Sequence, residues 1–228
     1  MKILAIDTTG LVASIAIVDE NKTIGEFTTN YKKTHSQTLM PMLEQLMKIL
    51  DMKLDEIDYV ACASGPGSFT GLRIGAATAK GIAHGLNKKI IPVPTLDALA
   101  YNMCESNHII VPIMDARRNQ VYTSIYKGNS DFKPLMEYTA CPIEEIIQRV
   151  KEYDDTAIFV GDGVNAFKDL ILENSFSIGN PSNNMQRATC VGTLALKRTN
   201  QAIDCNEFEI IYLRKSQAER ELEEKLNG

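Results

Sequence analysis

Two stretches of the chain repeat one pattern of apolar and polar positions. In the first, periodicity and turn residues predict three strands, a helix, a strand, a helix, a short strand and a helix. These lie at residues 2–6, 13–18, 22–29, 34–50, 59–63, 71–86, 90–93 and 95–102. The second repeats the first six of these elements at residues 109–114, 120–126, 132–141, 142–153, 157–160 and 165–172. The order three strands, helix, strand, helix therefore occurs twice, which indicates a duplicated fold.

The repeat predicts an α/β protein of two lobes, each with a mixed β-sheet flanked by helices, facing one another across a cleft. We expect the first lobe to span residues 1–105 and the second to span 106–228. Residues 2–6 form a continuous apolar run, typical of a strand buried on both faces. Thr34 and Gln37 have the spacing of a capping box at a helix start. Residues 214–226 alternate in charge at helical spacing, which predicts a terminal helix that packs back on the first lobe or stays solvated.

Composition limits the function more than the fold. The 24 basic and 29 acidic side chains give a net charge of −5, which argues against independent binding to a nucleic acid, because that binding depends on cations. Any role with RNA is therefore expected to be indirect. The sequence contains no run of 18 apolar residues, so it predicts no membrane-spanning helix. The five cysteines never occur in a C-x-x-C arrangement. We expect reduced thiols and a cytoplasmic protein.

Asp7 and Asp115 end the first strand of each repeat. Such a duplication is typical of the actin-like (ASKHA, ribonuclease H-like) superfamily, in which carboxylates at strand ends can hold Mg²⁺ or orient water near a phosphate. The alternative is that each Asp only ends a strand and accepts hydrogen bonds from turn amides. Thr8 and Thr9 follow the first carboxylate, but Arg117 and Arg118 stand where a second phosphate loop needs glycines, so any ATP or ADP binding is expected to be weak.

Residues 65–71, with the sequence GPGSFTG, lie between a predicted strand and a helix. Glycines allow close backbone approach, and the amides of the following helix can bind an anion, so this segment resembles a phosphate cradle. It is neither a Walker loop nor a nucleophile elbow, and no histidine has metal-ligand spacing. Arg73 is expected either to face an anion or to pair with a carboxylate such as Asp7. The cleft candidates are Asp7, Thr8, Thr9, Gly65, Gly67, Ser68, Thr70, Arg73 and Asp115.

The predicted helices at 35–50 and 71–86 have unusual compositions. The first carries an apolar arc wider than one core-facing stripe, and the second is rich in Gly and Ala, which lets another helix approach closely. Burial inside the protein and docking of a partner are both compatible with these patterns. The candidate docking residues are Leu39, Met40, Leu43, Met47, Leu72, Gly75, Ala76, Ala79 and Ala83.

Five segments taken together resemble the bacterial TsaB (YeaZ) family almost end to end. They are ILAIDT at 3–8, HSQTLMP at 35–41, GPGSFTGLRIG at 65–75, DAR at 115–117 and YLR at 212–214. The glycine-rich string is highly specific, whereas the first strand and its Asp are shared with many actin-like proteins. The chain departs from the family where Ile211, rather than the frequent proline, precedes Tyr212.

The resemblance implies a non-catalytic subunit of the machinery that installs threonylcarbamoyl on adenosine 37 of tRNAs that decode ANN codons. It implies docking of the first lobe, through helices 35–50 and 71–86, on a TsaD-like catalytic subunit that carries the metal-binding histidines. A TsaE-like ATPase joins that assembly, and a TsaC-type enzyme supplies the threonylcarbamoyl adenylate. Alone, such a protein is expected to form a homodimer, with no required cofactor and no protease activity. The alternative function is a weak actin-like ATP-binding phosphotransferase or ATPase.

Overall fold

The first lobe contains a five-stranded mixed sheet of order β3-β2-β1-β4-β5. The computed structural model describes residues 1–31, 34–129, 132–153 and 156–214. In chain order this lobe contains β1 (Lys2–Asp7), β2 (Ala13–Asp19), β3 (Thr23–Thr29), α1 (His35–Leu50), β4 (Tyr59–Ala63), α2 (Phe69–Leu86), β5 (Lys89–Val93) and α3 (Thr95–Tyr101). β1, β2 and β3 are antiparallel neighbours, whereas β4 is parallel to both β1 and β5.

The second lobe repeats this sheet. It contains β6 (Ile109–Asp115), β7 (Gln120–Thr123), β8 (Tyr126–Lys127), β9 (Thr139–Pro142), α4 (Ile143–Tyr153), β10 (Ala157–Val160), α5 (Val164–Glu173), β11 (Ser177–Ile178) and α6 (Ala188–Leu196). Along its main path the order β9-β7-β6-β10-β11 corresponds position by position to β3-β2-β1-β4-β5, and β8 adds a sixth strand by pairing with β6. The predicted duplication and the two-lobed α/β fold are therefore confirmed.

Alternate residues of β1 explain its continuous apolar run. Ile3 and Ala5 pack in one core cluster with residues of α6, whereas Leu4 and Ile6 pack in another with residues of α1 and α2. All four are fully buried. The prediction that this strand is buried on both faces is confirmed.

Four details differ from the sequence prediction. The predicted strand at 120–126 is divided into β7 and β8, and the one at 132–141 shortens to Thr139–Pro142. α1 begins at His35 as expected, but the Thr34 side chain makes no capping hydrogen bond; its carbonyl instead accepts from the Gln37 amide and the Thr38 hydroxyl. α6 was not predicted, because its mainly apolar sequence lacks the two-sided pattern of a surface helix.

α6 joins the two lobes. It packs on β1 and β2 of the first sheet and contacts α3, which also packs on β6 of the second sheet. Gly192 permits this closeness, since a Cβ there would lie 2.7 Å from a Val18 methyl. The expected division at residue 105 falls between the two sheets, but the part of the chain around α6 returns to the first lobe. The predicted helix at 214–226 lies, beyond Arg214, outside the described residues.

All five cysteines lie within the described ranges and none forms a disulfide. Within those ranges, no helix is both long and apolar enough to cross a membrane.

Candidate functional site

Asp7 is the last residue of β1 and is only 1% exposed. Its Oδ1 accepts hydrogen bonds from the Thr9 amide at 2.9 Å and the Thr9 hydroxyl at 2.7 Å. Its Oδ2 is buried and accepts no hydrogen bond from any described residue. Burial raises the pKa of Asp7 to about 6, against the lowering effect of the two Thr9 hydrogen bonds.

The glycines of the GPGSFTG segment make room for the Thr8–Thr9 turn. A Cβ on Gly67 would lie 2.5 Å from the Thr9 carbonyl oxygen, and one on Gly71 would collide with the Thr8 carbonyl oxygen. The Ser68 amide donates to Thr9 O at 2.7 Å, and the Thr8 hydroxyl donates to Gly71 O at 2.7 Å. The close backbone approach expected here is therefore made by another loop of the same chain.

The remaining residues of the cradle also have partners within the protein. Ser68 is the N-cap of α2, and its hydroxyl accepts a hydrogen bond from the Gly71 amide at 3.4 Å. Arg73 is exposed and donates from Nε to the Tyr212 hydroxyl at 3.3 Å. Tyr212 in turn stacks on Phe69, with ring centroids 4.7 Å apart. The expectation that Arg73 pairs with Asp7 is not met, because Oδ2 of that carboxylate is unpaired and Oδ1 is bound by Thr9.

Gly65 and Thr70 complete the predicted set. The Gly65 amide donates to the Thr95 hydroxyl at 3.0 Å, and its φ of +111° requires glycine at this turn. Thr70 is exposed in the first turn of α2. Neither residue contributes a group to the buried part of the cleft around Asp7.

Asp115 does not mirror Asp7. Its side chain is exposed and is engaged by its own loop: Oδ1 accepts from the Arg117 amide at 2.7 Å, and Oδ2 pairs with the Arg117 guanidinium at 3.2 Å. Arg117, Arg118 and Asn119 all have positive φ, so three consecutive bulky residues adopt the left-handed conformation that glycine favours. Of the two alternatives for Asp115, the geometry matches the second: the carboxylate ends its strand and accepts a hydrogen bond from a turn amide.

Asp162, rather than Asp115, is the carboxylate of the second lobe whose charge acts on Asp7. It follows β10 in the turn Gly161–Gly163, and its Oδ1 accepts from the Asp115 amide at 3.4 Å. Burial raises the pKa of Asp162 to about 6, and its charge adds to the repulsion felt by Asp7. The duplication offered a signal for Asp162, because β10 corresponds to β4 and both strands are followed by a glycine-containing turn. The sequence prediction considered only the end of the first strand of each repeat, where Asp162 does not lie.

Gln186 was also missed by sequence reasoning. Its side chain is 1% exposed, and neither its amide oxygen nor its amide nitrogen has a hydrogen-bond partner among the described residues. It lies against Gly10, where a Cβ would come within 2.5 Å of its Nε2. The Gln186 side chain therefore fills the space beside the last residue of the Asp7–Gly10 turn. A lone glutamine in a connecting segment gives no sequence signal for this position.

The N-terminus of α6, a natural position for an anion, binds a carboxylate of the chain itself. Glu26 Oε1 accepts from the Thr189 amide at 3.0 Å, and Ser14 Oγ accepts from the Ala188 amide at 2.9 Å. Arg187 pairs with Glu26 Oε2 at 2.6 Å. These contacts attach α6 to the first sheet and satisfy two amides that a phosphate would otherwise bind.

We expect Asp7→Asn to stabilise the protein at pH 8 and to change its stability little at pH 4. A folded-state pKa of about 6, against 3.8 for a free carboxyl, means that stability falls as pH rises between these values and stays lower above pH 6. The shift corresponds to about 3 kcal/mol, and asparagine removes the charge while its Oδ1 keeps the Thr9 hydrogen bonds.

Chemical unfolding at pH 4 and pH 8 measures this difference. Asp169→Asn is the matched control, because Asp169 is exposed on α5 and its substitution should change stability equally little at both pH values. An Asp7→Asn effect of the same size at pH 4 and pH 8 would contradict the assignment.

The docking candidates on α1 and α2 lie mostly on the inner faces of these helices. Met40 is 51% exposed, whereas the other eight are buried against the first sheet or its adjacent loops. These eight are Leu39, Leu43, Met47, Leu72, Gly75, Ala76, Ala79 and Ala83. The expectation that they contact a partner is therefore corrected: all eight are buried, and six of them belong to one core cluster of the first lobe, because the apolar side of each amphipathic helix faces its own sheet.

The outer face of α2 carries a row of small residues. Ala77, Gly81 and Gly85 are exposed and recur every four residues, so they lie one above another on the helix. A Cβ on Gly81 or Gly85 would meet no atom within 4 Å. Nearby α1 exposes Met40 and Ile49, the latter by 66%. Around Gly81, Gly85, Met40 and Ile49 these outer faces are exposed, whereas the part of α2 at Ala77 lines a groove with residues 208–210 and 212.

Comparison with known proteins agrees with these observations. The family model described as "TsaD: tRNA N6-adenosine threonylcarbamoyltransferase" matches residues 22–222. The "tRNA threonylcarbamoyladenosine biosynthesis protein TsaB" of Bacillus subtilis is 33% identical over 223 residues, covering 96% of each chain. The TsaB protein of Escherichia coli is 31% identical over 178 residues, covering 76% of this chain and 77% of its own.

Solved structures show the same fold. YeaZ from Pseudomonas aeruginosa matches with a TM-score of 0.78 and 21% identity, covering 93% of this chain and 99% of that one. Component A of the Acidaminococcus fermentans (R)-2-hydroxyglutaryl-CoA dehydratase matches with a TM-score of 0.51 and 9% identity, over 88% and 99% of the two chains. The duplicated mixed sheets thus define the actin-like (ASKHA) fold. Among proteins with this fold, the chain belongs to the TsaB (YeaZ) family.

Proposed function

We propose that the chain is a non-catalytic scaffold or activator subunit in the formation of threonylcarbamoyladenosine at position 37 of ANN-decoding tRNAs. In this proposal its first lobe docks on a TsaD-like catalytic subunit. The observation that carries the proposal is the relationship to proteins named for this biosynthesis, at 33% identity over 96% of the chain. The structure adds an uncovered helical face on which such a partner can pack.

The contacts in the cleft support a role without chemistry. Gly67 and Gly71 pack on the Thr8–Thr9 turn, and Gln186 fills the space beside Gly10. Asp115 is tied to Arg117 at the surface and is absent from the buried site. A phosphate bound at either loop would have to displace protein groups that already occupy its place. These contacts favour the scaffold over an actin-like ATPase and are consistent with weak ATP or ADP binding at most.

The outer faces of α1 and α2 are the docking surface we propose. Small residues let two helices approach closely, and a side chain added at Gly81 or Gly85 would meet no described neighbour within 4 Å. Met40 adds a flexible apolar side chain that can adapt to a partner. When the TsaD-like subunit is absent, the same face is available to a second copy, which accounts for the expected homodimer.

The other partners follow from this placement. A TsaE-like ATPase supplies nucleotide hydrolysis to the assembly, so this chain needs no cofactor of its own. Its net charge of −5 is unsuited to binding tRNA directly, and the tRNA is therefore expected to contact other subunits. We also expect the complex to act in the cytoplasm.

A reconstituted reaction tests the proposal. We expect threonylcarbamoyladenosine, measured by mass spectrometry of nucleosides from tRNA, to require this chain together with its TsaD-like, TsaE-like and TsaC-type partners. The double substitution Asp7→Asn/Asp115→Asn should retain most of that activity, since the proposal gives neither carboxylate a chemical role.

Magnesium-dependent ATP hydrolysis by the chain alone is the decisive control. Turnover that disappears in Asp7→Asn would overturn the scaffold and favour the actin-like ATPase. Equal product with and without the chain would contradict the proposal as well.

A further inference from the structure

A cavity of about 570 Å³ lies at the carboxyl ends of β4 and β5. Ser64 and Pro94, which directly follow these strands, line one side, and residues 132–134 of the second lobe line the other. The carboxyl ends of parallel strands are where open α/β sheets commonly bind ligands. None of the cleft residues around Asp7 lines this cavity, so it is a separate feature.

The guanidinium of Arg198 lines the cavity and has N–H groups that are not used in its pairing with Asp97. Asp97, which is 2% exposed, accepts hydrogen bonds of 2.6 Å each from the Tyr126 hydroxyl, the Tyr138 hydroxyl and Arg198 Nη2. Among the described residues this is the one partner of the Arg198 side chain, which leaves Nε and Nη1 free to donate. The guanidinium fork matches the geometry of a carboxylate or a phosphate.

Ser64 supplies a second, independent indication of a ligand. It is 1% exposed, it lines the cavity, and its hydroxyl has no hydrogen-bond partner among the described residues. A buried hydroxyl without a partner is unfavourable, and most such groups in proteins are paired. A polar atom of a bound molecule would satisfy it.

The charge and the walls of the cavity define the kind of molecule. Lys133 and Lys197 are exposed at its rim. Lys197 donates to the Tyr101 hydroxyl at 3.1 Å, a contact that leaves its charge uncompensated. With Arg198 balanced by Asp97, the two lysines give the cavity an excess of positive charge. Phe132 and Leu194 add apolar walls.

We propose that this cavity binds a small organic anion. Its carboxylate or phosphate group is held by Arg198 and Ser64 and is attracted by the two rim lysines, and its apolar part packs on Phe132 and Leu194. Such a site combines a few convergent polar groups with apolar walls, as small-molecule sites generally do. The inference does not rest on the docking proposed above, because α1 and α2 do not line the cavity.

Titration calorimetry with phenyl phosphate and phenylacetate tests the proposal on the full chain, with benzyl alcohol as the neutral analogue. We expect at least one of the two anions to bind, and benzyl alcohol to bind at least about tenfold more weakly. Ser64→Ala, which removes only the unpaired hydroxyl, should lower the affinity for the anion by about fivefold without lowering the stability of the protein.

Charge reversal at the rim provides the matched comparison. Lys133→Glu/Lys197→Glu should lower the affinity for the anion by about tenfold or more. Lys22→Glu/Lys168→Glu changes two exposed lysines elsewhere and should leave the affinity within about twofold of the unchanged protein. The absence of binding by both anions at 10 mM (about the weakest affinity such a site would show) would overturn the proposal. So would equal binding of benzyl alcohol, or equal affinity in the two double variants.

Discussion

Gly81→Arg is expected to abolish association with a TsaD-like subunit while the chain remains folded. Gly81 is exposed in the middle of α2, and a side chain added there meets no atom of this protein. Replacing glycine in a helix interior should even stabilise α2, by about 1 kcal/mol. At a close helix–helix contact, however, a long charged side chain prevents the two backbones from approaching, so we expect the affinity to fall at least about 100-fold.

Two companion variants separate docking from folding. Gly81→Ala gives a similar gain in helix stability with far less bulk, and it should retain most of the affinity. Ala79→Glu, only two residues away, should instead unfold the first lobe, because Ala79 is completely buried and a carboxylate there has no partner. Calorimetric titration with the partner and thermal unfolding of each variant measure both effects. Undiminished binding by Gly81→Arg would place the docking surface elsewhere.

Asp97→Ala is expected to lower the free energy of unfolding by about 3–5 kcal/mol, the usual cost of leaving one member of a buried ion pair alone. Asp97 joins three parts of the chain, since it accepts hydrogen bonds from Tyr126 and Tyr138 of the second lobe and from Arg198 after α6. Removing it leaves a largely buried guanidinium and two hydroxyls without their acceptor.

Denaturant unfolding measures the change. Asp169→Ala on the exposed face of α5 is the control and should change stability by less than about 0.5 kcal/mol. An Asp97→Ala effect as small as that of the control would contradict a structural role of this carboxylate in joining the lobes.

The fold could be predicted from the sequence because its strongest signals are local and repeated. Continuous apolar strands such as β1, the Gly-rich start of α2 and the recurrence of six elements all follow from short-range patterns. What escaped prediction depends on tertiary contacts. The sequence of α6 is a mainly apolar segment of nine residues, and only its packing on the first sheet and on α3 shows it to be a distinct element.

The candidate site was predicted less completely than the fold. Composition identified the two helices but could not say which face of each points inward, so buried Leu39 and exposed Met40 were placed in one docking set. Likewise, a glycine in the sequence indicates a close approach but not which group approaches. At Gly67 that group is the Thr9 carbonyl of the same chain. Asp162 and Gln186 carry no motif, and their importance appears only when the lobes are brought together.

Light scattering coupled to size-exclusion chromatography tests the central claim most directly. The purified chain is measured alone and after mixing with the TsaD-like protein of the same genome. We expect a homodimer alone and, in the mixture, a single peak with the mass of a complex containing both proteins, formed at the expense of the homodimer. Two separate peaks with unchanged masses, even with ATP and the TsaE-like partner added, would contradict the scaffold account.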